Sequence, residues 1–343
     1  MLSRTADHLF WMARYMERAE NTARMLDVNY QTSLLQPGAD TADKGWRGLL
    51  SISELTADYA KRRGDVTGRD VMDYMVSDVD NPSSIANCLM TARENARAVR
   101  GTLTTEVWET QNQTWLEFNR MLAAGAFRKD PGEFFEWVKF RSHLSRGVTL
   151  GTMLQDEAFH FMRMGTFLER ADNTARLLDV KFHGMENEFF GSGVTGGLAS
   201  QTQTQTQEEA APGAGVESTR EGEYDFYHWS AILRSMSGFE VYRKVYRNVI
   251  RPEKVAELLI LRADMPRSLA ACVYEVNTNL QMLANDQSGD TLRRAGRLRA
   301  DLEYGRIDEI LATGLHAYLT QFLERVGTIG VGISRDFLVP VPA

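Results

Sequence analysis

A twelve-residue segment occurs twice in this chain of 343 residues, and that repetition restricts the folds open to it. Residues 17–28 read ERAENTARMLDV and residues 169–180 read ERADNTARLLDV, so ten of the twelve positions are identical. His8 and His160 match at the same offset of 152 residues. Such a repeat indicates that one structural unit is present twice. We therefore predict two halves related by a pseudo-two-fold axis.

The similarity resumes farther along the chain at a larger offset. Residues 71–88 (VMDYMVSDVDNPSSIANC) match residues 255–272 (VAELLILRADMPRSLAAC) at an offset of 184. The offset increases because the second copy carries an insert of roughly thirty residues. We predict one compact domain with its first half at residues 1–150 and its second half at residues 151–190 and 224–343.

The insert, residues 191–223, is rich in Gly, Gln, Thr and Glu and holds almost no large apolar side chain. A segment of this kind buries too little apolar surface to offset the entropy of ordering it. We therefore predict a flexible spacer loop, with a regulated or partner-binding segment as the alternative.

Apolar residues outside the insert recur at helical spacings. In the first copy, Met12, Met16, Ala19, Ala23 and Leu26 are separated by three or four residues, and the second copy keeps the pattern. No set of alternating strand residues and no Asn-Gly hairpin turn is present in the sequence. The chain is therefore predicted to be all-α, a multi-helix bundle of about ten to twelve helices.

Proline positions indicate where several helices begin, because proline is favoured in the first helical turn. The prolines at such positions are Pro82, Pro131, Pro252 and Pro266. The candidate capping residues near them are Asp80, Asn81 and Asp130.

The repeated motif carries charged residues on the side of its helix opposite the apolar seam. Large apolar residues, including Phe10 and Trp11, share that side, and a helix that is apolar on two sides is usually buried all round. A buried charge needs a partner, and a second motif helix from the other half would supply one. The residues of this candidate network are Glu17, Arg18, Asn21, Arg24, Glu169, Arg170, Asn173 and Arg176.

Two interpretations of this network remain open. The charges can form a buried polar core that fixes the register of the helices. They can also form a binding site, in which guanidinium groups hold a carboxylate or phosphate and carboxylates hold an amine or a metal. The sequence favours the polar core.

Other candidate sites have weaker patterns. Glu157 and His160 have the spacing of a di-iron carboxylate bundle, but Thr5 stands where the first half would need the matching glutamate. His8 and His160 are interpreted as core histidines, and Cys88 and Cys272 as packed thiols. Without a P-loop, a dinucleotide glycine pattern or a nucleophile motif, the sequence predicts no cofactor and no metal.

The formal net charge of −7 argues against nucleic acid as a partner, because phosphate binding needs a basic surface. No apolar run reaches membrane-spanning length, and the first twenty residues carry too many charges for a secretory signal. We therefore expect no membrane association and a cytoplasmic location, which also fits two unpaired cysteines.

Taken together, these motifs resemble those of the alpha-E family, predicted helical proteins named for a Glu-Arg motif. The elements that carry the resemblance are ERAENTAR in the opening helix, Asn81-Pro82-Ser83-Ser84, Trp108-Glu109-x-x-Asn112 and the second segment FLERADNTARLLDV. It covers essentially the whole chain apart from the insert, and Glu17, Arg18, Glu169 and Arg170 are the residues that match the family motif.

The resemblance implies an association with ATP-grasp ligases, and with transglutaminase-like and proteasome-like proteins of the same pathway. On that basis we expect a non-catalytic accessory subunit of an ATP-dependent peptide or amide ligase, which binds the ligase and helps form or present its acceptor site. The first alternative is an independent enzyme or small-ligand-binding protein that uses the paired Glu-Arg clusters. The second is a metal-binding helical bundle.

Overall fold

The computed structural model describes residues 1–35, 39–190 and 226–338. These residues form sixteen α-helices and one short 3-10 helix, with no β-strand in the described ranges, so the all-α prediction is confirmed. The predicted insert at residues 191–223 lies outside them. The α-helices are α1 (Ser3–Leu35), α2 (Ala39–Ile52), α3 (Thr56–Arg63), α4 (Gly68–Ser77), α5 (Ile85–Ala98), α6 (Thr105–Ala123), α7 (Ala126–Lys129), α8 (Pro131–Thr152), α9 (Glu157–Phe190), α10 (226–235), α11 (Phe239–Tyr246), α12 (Pro252–Ile260), α13 (Leu269–Met282), α14 (Gly289–Glu303), α15 (Ile307–Thr313) and α16 (Leu315–Phe337).

More helices are present than the ten to twelve expected. Several of the additional helices are short, such as α7 with four residues and α15 with seven. One or two turns contain too few residues to show a 3.6-residue period, so the sequence pattern does not separate them from turns.

The two motif helices, α1 and α9, pack against each other at the centre of the molecule. They run in the same direction, because the amino group of Met1 lies 2.6 Å from Glu157 and Arg18 lies beside Glu169 farther along. The middle of α1 is buried on all sides, as the apolar residues on both its faces predict.

A glycine allows the backbones of α1 and α9 to approach closely. Gly165 of α9 is buried, and a Cβ atom on it would lie 2.3 Å from the backbone oxygen of Phe10 in α1. No side chain fits at that distance, so this crossing depends on the absence of a Cβ.

Matching sets of helices surround the central pair. Helices α5 and α8 pack on α1, and α6 packs on both of them. Helices α13 and α16 pack on α9, and α14 packs on both. Each central helix therefore belongs to a four-helix group of the same connectivity. An ancestral duplication stays a prediction from the sequence.

Matched serines begin two of the surrounding helices. The Ser84 hydroxyl accepts the backbone N–H of Asn87 at the start of α5, and the Ser268 hydroxyl accepts that of Ala271 at the start of α13. The expectation that helices begin at Pro82 and Pro266 was wrong. Both prolines lie in the preceding turns, which place a serine hydroxyl at the first free N–H groups.

The other two prolines do begin helices. Pro131 and Pro252 stand at the first turns of α8 and α12, and Asp130 caps α8 by accepting the backbone N–H of Glu133. Across the described ranges, no helix has both the length and the apolar character needed to cross a membrane.

Candidate functional site

The Glu-Arg motifs of α1 and α9 pair with each other crosswise. Arg170 donates from Nε and Nη2 to the two carboxylate oxygens of Glu17, each at 2.9 Å. Arg18 donates from Nε at 2.6 Å and from Nη2 at 3.1 Å to Glu169. Bidentate pairs of this kind are strong and orientation-specific. The arginine of each motif therefore neutralises the glutamate of the other and fixes how α1 and α9 align.

The first pair continues into a larger buried cluster. Arg267, in the turn before α13, donates to Glu17 at 3.0 Å and is also hydrogen-bonded to Glu20. Arg146 of α8 donates to Glu17 at 3.0 Å and to Glu20. Glu17, Glu20 and Arg267 are each at most 5% exposed. One polar cluster thus ties α1, α8, α9 and the start of α13 together.

The remaining predicted network residues lie close by but have other partners. Arg24 pairs with Glu20 of its own helix, and Arg176 pairs with Asp172 of its own helix, so neither joins the crosswise pairs. Asn21 accepts a hydrogen bond from Arg267 at 2.8 Å. Arg24 and Arg176 pair within their own helices and not across the two motif helices, because side chains four residues apart are neighbours on a helix.

Sequence reasoning missed several members of the cluster. Glu20, Arg146 and Arg267 lie outside the motif residues singled out above, yet each forms at least two of the buried ion pairs. For Glu20, the acidic residue at the matching position of the second copy, Asp172, was an available signal. Arg267 and Arg146 come from distant segments, and no periodicity connects them to the motif.

The Glu-Arg cluster consists of two groups of ion pairs and carries an excess of positive charge. Four guanidinium groups face Glu17 and Glu20, and two face Glu169, which leaves a formal charge of +3 in a chain whose net charge is −7. His143 lies against Arg24 and Arg146. Burial lowers the pKa of His143, and these two guanidiniums lower it further. The members are Glu17, Glu20, Glu169, Arg14, Arg18, Arg24, Arg146, Arg170 and Arg267.

The carboxylates of the cluster stay ionised. Burial by itself would raise their pKa values, but Arg170 and Arg267 hold the pKa of Glu17 below its usual value. Arg14 and Arg18 lower the pKa of Glu169 to about 2. An acid–base catalyst works best with a pKa near the working pH. These glutamates are therefore suited to holding guanidinium groups and poorly suited to transferring protons at neutral pH.

The lowered pKa of Glu169 predicts a loss of stability in acid. The pKa of Glu169 is about 2 in the folded chain and 4.5 in an ordinary glutamate. Its ionised carboxylate therefore contributes fully to the free energy of unfolding above pH 4.5, and this contribution disappears as the pH falls towards 2. The full difference is on the order of 3 kcal/mol. We expect the free energy of unfolding of the native chain to fall more steeply than that of Glu169→Gln between about pH 5 and about pH 3. Equal slopes in chemical denaturation would contradict this assignment.

A polar cavity of about 260 Å³ lies between α1 and α9. Five of the eight predicted network residues line it. Of the other three, Arg24 and Arg170 lie in the buried cluster, and Glu17 lines a separate small cavity of about 40 Å³ together with Arg146. The turn after α2 and the turn before α5 complete its walls, and the partly exposed side chains of Arg18 and Glu54 connect it to solvent. Its lining includes Arg14, Arg18, Asn21, Ser53, Glu54, Ser83, Glu169, Asp172, Asn173 and Arg176.

The histidines make matching contacts. His8 is 2.7 Å from the side-chain oxygen of Asn95, and His160 is 2.9 Å from that of Asn279. Glu157 contacts the Met1 amino group at the surface. In the described part of the chain, no group of three or more acidic, His or Cys side chains is arranged to hold a metal ion.

The two cysteines lie in the core. Cys88 and Cys272 are buried and unpaired, and burial raises the pKa of each thiol to about 12. A thiol with such a pKa stays protonated, so neither residue is an activated nucleophile.

Comparisons with known proteins identify the family. A family model described as a predicted alpha-helical domain with a conserved ER motif matches residues 1–338. Three uncharacterized proteins, one of Mycobacterium bovis and two of Mycobacterium tuberculosis, are each 24% identical to this chain over 350 residues. The alignment covers 93% of this chain and 35% of each relative, so the chain spans about a third of the length of these curated relatives. No solved structure matches it. The crosswise Glu-Arg pairs fit the motif in the family's description, and the chain belongs to the Alpha-E family.

Proposed function

We propose that this Alpha-E chain is a non-catalytic accessory subunit of an ATP-dependent peptide or amide ligase system. In this role it binds an ATP-grasp ligase and helps form or present the acceptor site of that enzyme. The observation that carries the proposal is an apolar stripe on the outer face of α8. Phe140, Leu144 and Leu150 are 66%, 44% and 53% exposed, respectively.

The stripe has the character of a protein-binding surface. Phe140 and Leu144 are four residues apart on one side of α8, and Leu150 lies at the edge of that side. Gly147 and Gly151, which are also exposed, leave the helix surface between them accessible. A row of large exposed apolar side chains on one helix is typical of an interaction site. Arg146, four residues before Leu150 and beside it on the edge of the stripe, belongs to the buried cluster. Docking on α8 would therefore contact the helix that supports the Glu-Arg core.

The relatives support a role beside another polypeptide. In the mycobacterial proteins, the part that matches this chain is accompanied by further sequence amounting to about two thirds of the whole. The alpha-E resemblance implies ATP-grasp ligases as partners. An accessory subunit fits this resemblance, and the relatives are compatible with it because in them the matching part is joined to further sequence.

The charge state of the cluster supports a non-catalytic role over that of an independent enzyme. Its glutamates are ion-paired and have lowered pKa values, and the thiols are buried with raised pKa values. None of these groups is poised to gain or lose a proton near neutral pH. Small-ligand binding, by contrast, is favoured by the cavity between α1 and α9.

The docking proposal predicts the behaviour of a surface variant. We expect Phe140→Asp with Leu144→Asp to abolish co-purification with the cognate ATP-grasp ligase and to reduce ligation to the level of the ligase without this chain. Both new carboxylates would lose their water at the interface, and the free-energy cost of that desolvation would exceed the gain from the remaining apolar contact. The measurement is a pull-down followed by a ligation assay with purified proteins.

Val331→Asp is the matched control, since Val331 is an exposed apolar residue on α16. It should leave both readouts unchanged. Full ligase activity without this chain would overturn the accessory role. Normal co-purification of the α8 variant would overturn the assignment of the docking face.

A further inference from the structure

The cavity between α1 and α9 occupies the position that corresponds to the guanidinium of Arg267. At the offset of 152 residues, Glu169, Asp172 and Asn173 match Glu17, Glu20 and Asn21, and at the offset of 184 residues Ser83 matches Arg267. Arg267 is hydrogen-bonded to all three of its matched neighbours. Ser83 lines the cavity with a side chain too short to fill the equivalent space. The surroundings of Glu169 thus lack the guanidinium that Arg267 provides beside Glu17.

The positive charge of that missing group is already supplied by another residue. Arg14 contacts Glu169 at 2.7 Å, whereas its counterpart in the second half is Thr166. Glu169 therefore accepts from two guanidiniums, Arg14 and Arg18. Glu169 is therefore already neutralised and offers no unpaired carboxylate to a further cation in the cavity.

The unmet requirement in the cavity is for hydrogen-bond acceptors. Asn21 is only 3% exposed, and its Nδ2 has no hydrogen-bond partner in the described part of the chain. The orientation of this amide is determined, because its oxygen accepts from Arg267. The buried Nδ2 of Asn173, on the facing helix, also has no partner among the described residues. Two amide donors in the lining of one cavity point to a ligand that brings oxygen atoms.

The charge beside Arg14 and Arg18 favours a negatively charged oxygen ligand. A guanidinium carries five N–H donors, so Arg14 and Arg18 keep donors that Glu169 does not use. Both are partly exposed at the cavity, with side-chain exposures of 18% and 26%. Their shared carboxylate cancels only one of their two charges. Elsewhere in the lining Arg176 pairs with both Asp172 and Glu54, so the lining as a whole is neutral and its positive part is at Arg14 and Arg18. A planar carboxylate matches this arrangement of amide and guanidinium donors.

We propose that this cavity binds the carboxylate group of a small organic acid or of a peptide C-terminus, with Asn21 and Asn173 as the specific donors and Arg14 and Arg18 as the source of positive charge. A volume of about 260 Å³ admits only a small group, since pockets for larger ligands are roughly 300–1,000 Å³. This site is separate from the α8 stripe, so it can be tested independently of ligase docking.

Isothermal titration calorimetry on the full chain tests the proposal. The probes are acetate, glycylglycine, glycylglycine amide, inorganic phosphate and methylammonium. We expect acetate and glycylglycine to bind, and the amide, which lacks the carboxylate, to lose binding. Tighter binding of glycylglycine than of acetate would identify a peptide C-terminus as the source, and equal binding would identify a small acid. Binding of phosphate or methylammonium without binding of a carboxylate overturns the proposal, as does the absence of binding by every probe.

Two variants place the binding at this cavity. Asn173→Asp replaces a donor with a negative acceptor of the same shape, and should weaken carboxylate binding at least about tenfold, the scale of one charge-assisted hydrogen bond. Ser83→Arg should abolish binding by filling the cavity. Asn119→Asp, an exposed change on α6, should bind as the native chain does. Melting curves confirm folding of each variant, and native affinity in a folded Asn173→Asp or Ser83→Arg variant would overturn the location.

Discussion

Glu17→Gln is expected to destabilise the folded chain by about 3–5 kcal/mol, the cost of breaking a buried ion pair by removing one partner. Glu17 is 1% exposed and accepts from Arg170, Arg267 and Arg146. Glutamine keeps the shape and one acceptor oxygen but removes the charge. Arg170 would then lose its charged partner, and Arg267 and Arg146 would share Glu20 with Arg24. Urea denaturation at neutral pH measures the change in the free energy of unfolding.

The matched variants are Glu169→Gln and Asp58→Asn. Glu169→Gln should cost less than Glu17→Gln, because its partners Arg14 and Arg18 are partly exposed and can regain water. Asp58→Asn removes the charge from an exposed pair with Arg62, while the amide oxygen can still accept from the Tyr74 hydroxyl, so it should cost the least of the three. If the three variants lost equal stability, the cluster would not be the electrostatic centre of the fold.

Gly165→Ala is expected to destabilise the chain by at least about 1–3 kcal/mol, the range for overpacking a core. The new methyl group would lie 2.3 Å from the backbone oxygen of Phe10. Helices α1 and α9 would have to separate, and their crosswise Glu-Arg pairs depend on that separation. The thermal midpoint and the urea midpoint should therefore both fall.

Gly327→Ala provides the opposite expectation for the same chemical change. Gly327 lies on the exposed side of α16, and a Cβ there would meet no atom within 4 Å. Alanine is the better helix former by about 0.8–1 kcal/mol, so this variant should be slightly more stable than the native chain. If both glycine variants changed stability in the same direction, the close crossing of α1 and α9 would not be the reason for Gly165.

The two motif copies are nearly identical in sequence but differ in their surroundings. In one, Glu17 belongs to an enclosed cluster completed by Arg267 and Arg146. In the other, Glu169 borders a solvent-connected cavity beside Ser83. The same Glu-Arg pair thus contributes to the polar core on one side and to a candidate site on the other. The buried ion pairs of Glu17 fit the polar-core interpretation, and the binding-site interpretation is what we propose for the cavity beside Glu169.

Much of the fold could be predicted because it depends on local patterns. Spacings of three and four residues identify the long helices, and apolar residues on both sides of α1 predict its burial. Repeated charges on two buried helices predict that each needs a partner, and the crosswise pairs of Glu17 with Arg170 and Glu169 with Arg18 supply it. The boundaries at Pro82 and Pro266 were wrong because a serine in the next turn competes effectively for the capping role.

The sequence by itself determined the helical class, the repeated motif and the requirement that its charges be paired. Only the tertiary structure decided which groups meet that requirement. Arg267 is 250 residues from Glu17 in the sequence and Arg146 is 129 residues from it. The helical spacing of nearby residues therefore predicts neither contact. The cavity likewise lies where Ser83 stands in place of an arginine, and its walls come from segments that are distant in the sequence. The physical reason is that desolvation makes a partner necessary for a buried charge, whereas the three-dimensional packing of distant segments selects which partner it has.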